Sequence, residues 1–163
     1  MSVRNLPSRG AVHAPIRRCA YRSLRISVEP AFQTKPLHEV PDVVAPDGSD
    51  VRLLLQVDGG ALAHFELAAQ QTSVAVTHRS VEEIWYFLGG TGEVWRKSGD
   101  HEEVVSVSTG ACITIPPGTA FQLRTTGDEP LSAIGATMPP WPGAGEAVII
   151  TGPWEPTVAP GPH

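Results

Sequence analysis

From Val51 to Met138 the chain is a succession of short β-type runs, each closed by glycine, proline or charged turn residues, at a spacing of roughly ten residues. Val51–Val57 is mainly apolar and ends at Asp58-Gly59-Gly60. Ala61–Leu67 alternates, with Leu62, His64 and Glu66 on one face and Ala63, Phe65 and Leu67 on the other. Gln70–His78 contains Val74-Ala75-Val76, and Glu83–Leu88 is the densest aromatic run, stopped by Gly89-Gly90. Glu93–Lys97, Glu103–Val107, Cys112–Ile115, Phe121–Thr125 and Leu131–Met138 follow. Regular short strands with turn chemistry between them predict an all-β sandwich or barrel. No stretch of this region keeps a helical period. Glycine and proline, sixteen of each in 163 residues, fit tight turns better than helices.

The flanks differ from this body. Residues 1–28 hold six arginines and no acid, whereas the rest sets six basic residues against all seventeen acids. An acidic body repels phosphate backbones, so nucleic acid is not an expected partner. The basic leader reads as an unstructured arm, a targeting segment or an extension dispensable to the mature protein. Residues 1–45 are thus expected to form a basic, then Pro-rich arm, 46–138 the barrel, and 139–163 a tail whose Trp141 and Trp154 anchor it to the barrel. No apolar run is long enough to predict a membrane span. Cys19 and Cys112 form no Cys-x-x-Cys pair, which points to a reduced, cytoplasmic setting. Cys112, between Ala111 and Ile113, is expected in the core. Arg79, Glu82, Arg96 and Lys97 read as a solvated face, and Arg124 as pointing outward.

Two motifs sharpen the fold. In Val76-Thr77-His78-Arg79-Ser80-Val81-Glu82-Glu83, continuing to Gly90, four residues separate His78 from Glu83 and six separate Glu83 from Gly90. This resembles the first motif of the cupin superfamily, His-x-His followed by Glu and Gly, with Val76 in place of the first histidine. Gly110 to Phe121 resembles the second motif through Gly110, Pro116 and Gly118, with Phe121 at its histidine and Thr125 at its asparagine. The resemblance implies a cupin-type double-stranded β-helix, a jelly-roll barrel. Single-domain cupins commonly pair through an outer sheet, which implies a homodimer.

In cupins two histidines, a glutamate and a third histidine hold a divalent transition metal. Here only His78 and Glu83 remain, and neither Val76 nor Phe121 offers a lone pair, so no metal cofactor is expected. The alternative is one Fe, Mn, Ni or Zn ion on His78 and Glu83, completed by a water or by His64, which precedes the motif on a strand. The resemblance implies that His78 and Glu83 project into the barrel; strand alternation then sends Trp85 and Phe87 inward too, opposite Phe121 and Leu123. His64, Val76, Trp85, Phe87, Phe121 and Leu123 then wall a pocket for a small organic ligand. A buried carboxyl beside an imidazole is a general acid/base pair, so His78 and Glu83 are the candidate catalytic residues. Three function classes stay open. The favoured one is a metal-independent isomerase, epimerase, cyclase or lyase. The others are a non-catalytic ligand-binding or sensing barrel and a metal-dependent dioxygenase-type enzyme. His78 and Glu83 also have a purely structural reading, as a buried couple joining two strands.

Overall fold

The computed structural model describes residues 32–162. The arginine-rich leader, Cys19 and the readings placed on them lie outside the described residues. No described helix is long and apolar enough to cross a membrane. Every regular element of the described chain is a strand: β1 (Val43–Val44), β2 (Asp50–Val57), β3 (Gly60–Leu67), β4 (Val76–His78), β5 (Glu82–Gly89), β6 (Thr91–Ser98), β7 (His101–Ser108), β8 (Cys112–Ile115), β9 (Ala120–Thr125), β10 (Leu131–Met138) and β11 (Ala147–Ile149).

The strands pair antiparallel in two sheets, β1-β2-β3-β10-β5-β8 and β11-β4-β9-β6-β7. Sequence neighbours separate, and β10 returns between β3 and β5. That is the interleaved order of a jelly roll, the all-β barrel the strand spacing predicts. β5 shows the driving pattern most clearly. Glu83, Trp85 and Phe87 are buried, while Ile84, Tyr86 and Leu88 are exposed, a strict period of two. The inward row meets Phe121 and Leu123 of β9, Val94 of β6, Ile113 and Ile115 of β8 and Leu131 of β10 in one apolar cluster between the sheets.

The turn between β8 and β9 ties the two sequence motifs together. Gly118 has φ +74°, a left-handed conformation that glycine adopts without Cβ strain. Its N–H donates to the His78 carbonyl at 2.8 Å. The Pro-x-Gly turn thus pins the strand that carries the motif histidine.

Some local expectations are corrected. Of Gln70–His78 only Val76–His78 is a strand. Its polar half ties to neighbouring segments one residue at a time, Gln71 N to Thr125 Oγ1, Thr72 N to Thr157 Oγ1 and Ser73 N to the Leu123 carbonyl. These bonds replace a continuous ladder. Cys112 is exposed, because alternation on β8 turns Ile113 and Ile115 inward and leaves Cys112 outside. Arg96 belongs to no freely solvated face, since its side chain is mostly covered and pairs with Glu103 at 2.6 Å. On β9 Gln122 is fully buried although it faces away from the apolar cluster. Residues of the C-terminal segment cover it, and its amide donates to the carbonyls of Ser73 (2.7 Å) and Trp154 (2.9 Å) while accepting from Trp154 N (3.1 Å).

Candidate functional site

His78 ends β4 and Glu83 is the first inward residue of β5, so a single short connection brings them together. His78 Nδ1 stands 3.7 Å from Glu83 Oε2, beyond hydrogen-bond length. Glu83 Oε2 instead accepts from Trp85 Nε1 at 2.8 Å, two residues along the same face. His78 Nδ1 is buried and has no hydrogen-bond partner among the described residues. The imidazole is held between two aromatic edges, Phe121 at 5.1 Å and Trp141 at 5.0 Å, both close to perpendicular. Trp85 stacks on Phe65 at 4.6 Å with 20° between the planes, and meets Phe121 edge-on at 6.3 Å.

These groups line a cavity of about 490 Å³ that opens between the two sheets. Val43–Asp47, the β2 bulge at Leu54 and Leu55, and the Gly143–Gly145 loop form its rim. Thr137, the register partner of Glu83 on β10, adds a buried hydroxyl with no partner. Asp47 adds a second buried carboxyl, held by the N–H and hydroxyl of Ser49, both at 3.0 Å.

Burial sets the protonation of this site. It pushes the Glu83 carboxyl up to about 7 against the Trp85 bond, and the nearby charges of Asp47 and Glu146 push the same way. Burial pushes His78 down to about 4, outweighing the attraction of Glu146. Burial also raises Asp47 above the usual carboxylate range. At neutral pH a neutral imidazole therefore faces a carboxyl that is losing its proton.

The pocket expected from the sequence is partly redrawn. Val76, His78, Glu83, Trp85 and Phe121 line the cavity as expected. Phe87 and Leu123 do not, because each lies one inward position further along its strand and packs into the apolar cluster beyond Trp85 and Phe121. His64 does not either. Phe65 takes the inward position on β3, and alternation sends His64 to the outer face beside its register partner Arg52, 3.5 Å away. Burial and the Arg52 charge hold the His64 pKa below its ordinary value. Trp141 is a wall of the cavity as well as an anchor of the tail. Asp47, Phe65 and Thr137 were not anticipated in the site. Alternation from Leu131 points to Thr137, whereas Asp47 reads only as part of an Asp-Gly turn.

A resident divalent metal does not fit this donor set. Structural and catalytic sites draw three or four ligands from the chain. Here two of the four positions carry carbon only, Val76 and Phe121, and His64 lies on the other side of the sheet. No group of three His, Cys, Asp or Glu among the described residues is arranged to hold a metal.

Residues 63–136 match the family described as the cupin domain. The barrel has the cupin fold. Solved structures agree on the fold. An uncharacterized conserved protein with a double-stranded β-helix domain from Klebsiella pneumoniae superposes with a TM-score of 0.54 at 15% identity, covering 64% of this chain and 85% of that one. Oxalate decarboxylase from Bacillus subtilis gives 0.58 at 16% identity over 67% of this chain. This chain spans only 29% of that enzyme, whose Mn(II) centers have been studied. At such identities the likeness concerns the fold alone. No curated protein sequence matches the chain significantly.

Proposed function

We propose that this cupin barrel binds a small organic metabolite and moves a proton on it with Glu83 and His78, without a metal. The observation that supports this reading is the placement of Glu83 and the unpartnered His78 Nδ1, 3.7 Å apart, on the wall of an aromatic-lined cavity. A carboxyl near 7 both accepts and returns a proton at cellular pH with little driving force lost either way. Glu83 removes a proton from a carbon of the substrate, and the electron pair of the broken C–H bond stays on the substrate. Return of the proton at a neighbouring atom gives an isomer, and loss of a leaving group gives an elimination product. The neutral His78 holds a substrate polar atom against the carboxyl, and Trp85 and Phe65 pack on an unsaturated body. The exposed apolar row Ile84, Tyr86 and Leu88 on the outer face of β5 favours a homodimer, read by light scattering.

The test is mass spectrometry of a metabolite extract incubated with the protein after exhaustive chelation. The expected result is conversion of one metabolite into an isomer or elimination product, absent with Glu83→Gln. A metabolite retained unchanged would make the barrel a binding module. Turnover that chelation abolishes would make it a metal-dependent enzyme.

A further inference from the structure

We infer that the cavity selects a small organic cation, a protonated amine on an apolar body, and turns carboxylates away. This rests on the cavity being the ligand site. The first ground is the charge inventory. Two buried carboxyls, Glu83 and Asp47, line the cavity, and among the described residues no lysine or arginine does. The cations on flanking segments are already engaged, Lys35 on the carbonyl of the lining residue Leu53 and Arg52 on the Glu39 carbonyl. A carboxylate ligand would meet two acids and no counter-charge, so the oxalate in the decarboxylase's name is not transferable.

The second ground is hydrogen-bonding capacity. Thr137 Oγ1 and His78 Nδ1 are buried, line the same cavity and have no partner. With Glu83, whose carboxyl already accepts from Trp85 Nε1, they offer lone pairs to a donor. An ammonium brings up to three donors and no acceptor, and a carboxylate, a hydroxyl oxygen and an imidazole nitrogen can each take one. The third ground is the wall itself. Phe65, Trp85, Phe121 and Trp141 line the same cavity as these polar atoms, and aromatic faces attract a desolvated cation.

Proton abstraction fits the same class. Removing a proton from carbon leaves negative charge on the substrate, and the described residues place no cation on the cavity wall to stabilise it. A positive charge carried by the substrate supplies that stabilisation.

Three probes of nearly equal size test the inference on the full chain at pH 7.5: benzylamine, benzyl alcohol and benzoate. Titration calorimetry measures affinity, and the Trp85 indole N–H resonance, assigned through Trp85→Phe, reports occupancy of the cavity. Benzylamine is expected to bind about tenfold tighter than the alcohol, with benzoate weakest, and Glu83→Gln is expected to erase the preference. An alcohol or benzoate that binds as well as the amine to the unmutated protein overturns the cation inference and leaves the pocket reading standing. If none of the three shifts the Trp85 indole, the pocket reading fails and the inference with it.

Discussion

Val76 and Phe121 are direct cross-strand partners, β4 against β9, at the two motif positions where imidazoles would stand. Both are almost fully buried. The departure from the family pattern is therefore one contiguous apolar contact facing His78 and Glu83. Restoring both positions tests whether those two side chains keep ligand geometry. Val76→His/Phe121→His is expected to lose about 2–4 kcal/mol without metal, because a large apolar side chain leaves the core. It is expected to recover thermal stability when Zn²⁺ or Mn²⁺ is added, with one ion per chain by elemental analysis. A double variant whose melting temperature ignores both ions would show that His78 and Glu83 have left the orientation a cupin metal needs.

Glu83 and His78 bend the pH–stability curve in opposite directions. Glu83 holds its proton more tightly folded than unfolded, with a pKa of about 7 against 4.5, so its contribution is largest below 4.5 and is lost as pH rises to 7. His78 is shifted the other way, to about 4 from 6.5, so stability rises with pH across that window. Between about 4.5 and 6.5 the two slopes offset. Asp47, raised by burial, adds to the Glu83 slope, and Glu146, held low, adds to the His78 slope. Glu83→Gln is therefore expected to steepen the rise from pH 4 to 6.5. At pH 8 it is expected to be more stable than the unmutated protein by up to about 3 kcal/mol. Urea denaturation across pH 4–8 measures this, and equal stability of the two proteins at pH 8 would refute a carboxyl raised by burial.

The barrel was legible because its strands alternate cleanly and its turns are marked by glycine and proline. Glu83, Trp85 and Phe121 could be placed by counting twos along β5 and β9. Counting fails where depth matters as well as side, which is why Phe87 and Leu123, on the correct face, lie beyond the cavity. It fails for His64 because a strand has two faces and only the pairing with β2 and β10 says which one holds the outer Arg52. Asp47 and Trp141 reach the cavity from loops whose path no periodicity encodes. Glu146 is invisible for the same reason, since its partners lie 65 and 66 residues away.

Gly135 on β10 sits between Ala63 and Trp85 in register, beneath the Phe65–Trp85 stack. A Cβ there would lie 2.7 Å from Phe65 Cε2 and 3.3 Å from Trp85 Nε1. Both rings are rigid, so one must move. Gly135→Ala is expected to cost about 1–3 kcal/mol and to displace the Trp85 indole from Glu83. Gly59→Ala, with open space around its Cβ, is the control and is expected to be nearly neutral. Paired thermal melts with the Trp85 indole N–H resonance check this, and an unmoved resonance in Gly135→Ala would mean that the stack does not depend on the missing side chain.

Glu146 fixes the connection between His78 and Glu83 from a distance. Its carboxylate accepts from Ser80 N at 2.6 Å, Val81 N at 2.9 Å and Ser80 Oγ at 2.9 Å. Burial alone would raise its pKa, but these bonds and the attraction of His78 outweigh that and hold it below the ordinary carboxylate value. Two backbone donors in a segment with the fully buried Val81 thus depend on one side chain. Glu146→Ala is expected to lose about 1–3 kcal/mol by urea denaturation, since the N–H of the buried Val81 is stranded while that of the exposed Ser80 can turn to water. Glu146→Gln keeps a carbonyl acceptor and is expected to lose about half as much. Removing the charge also removes an attraction that holds the His78 pKa up. The His78 imidazole, followed by NMR titration, should therefore protonate at a still lower pH in Glu146→Gln than in the unmutated protein. A His78 titration that does not move, with Glu146→Ala as stable as the unmutated chain, would reduce Glu146 to a surface carboxylate with no hold on the site.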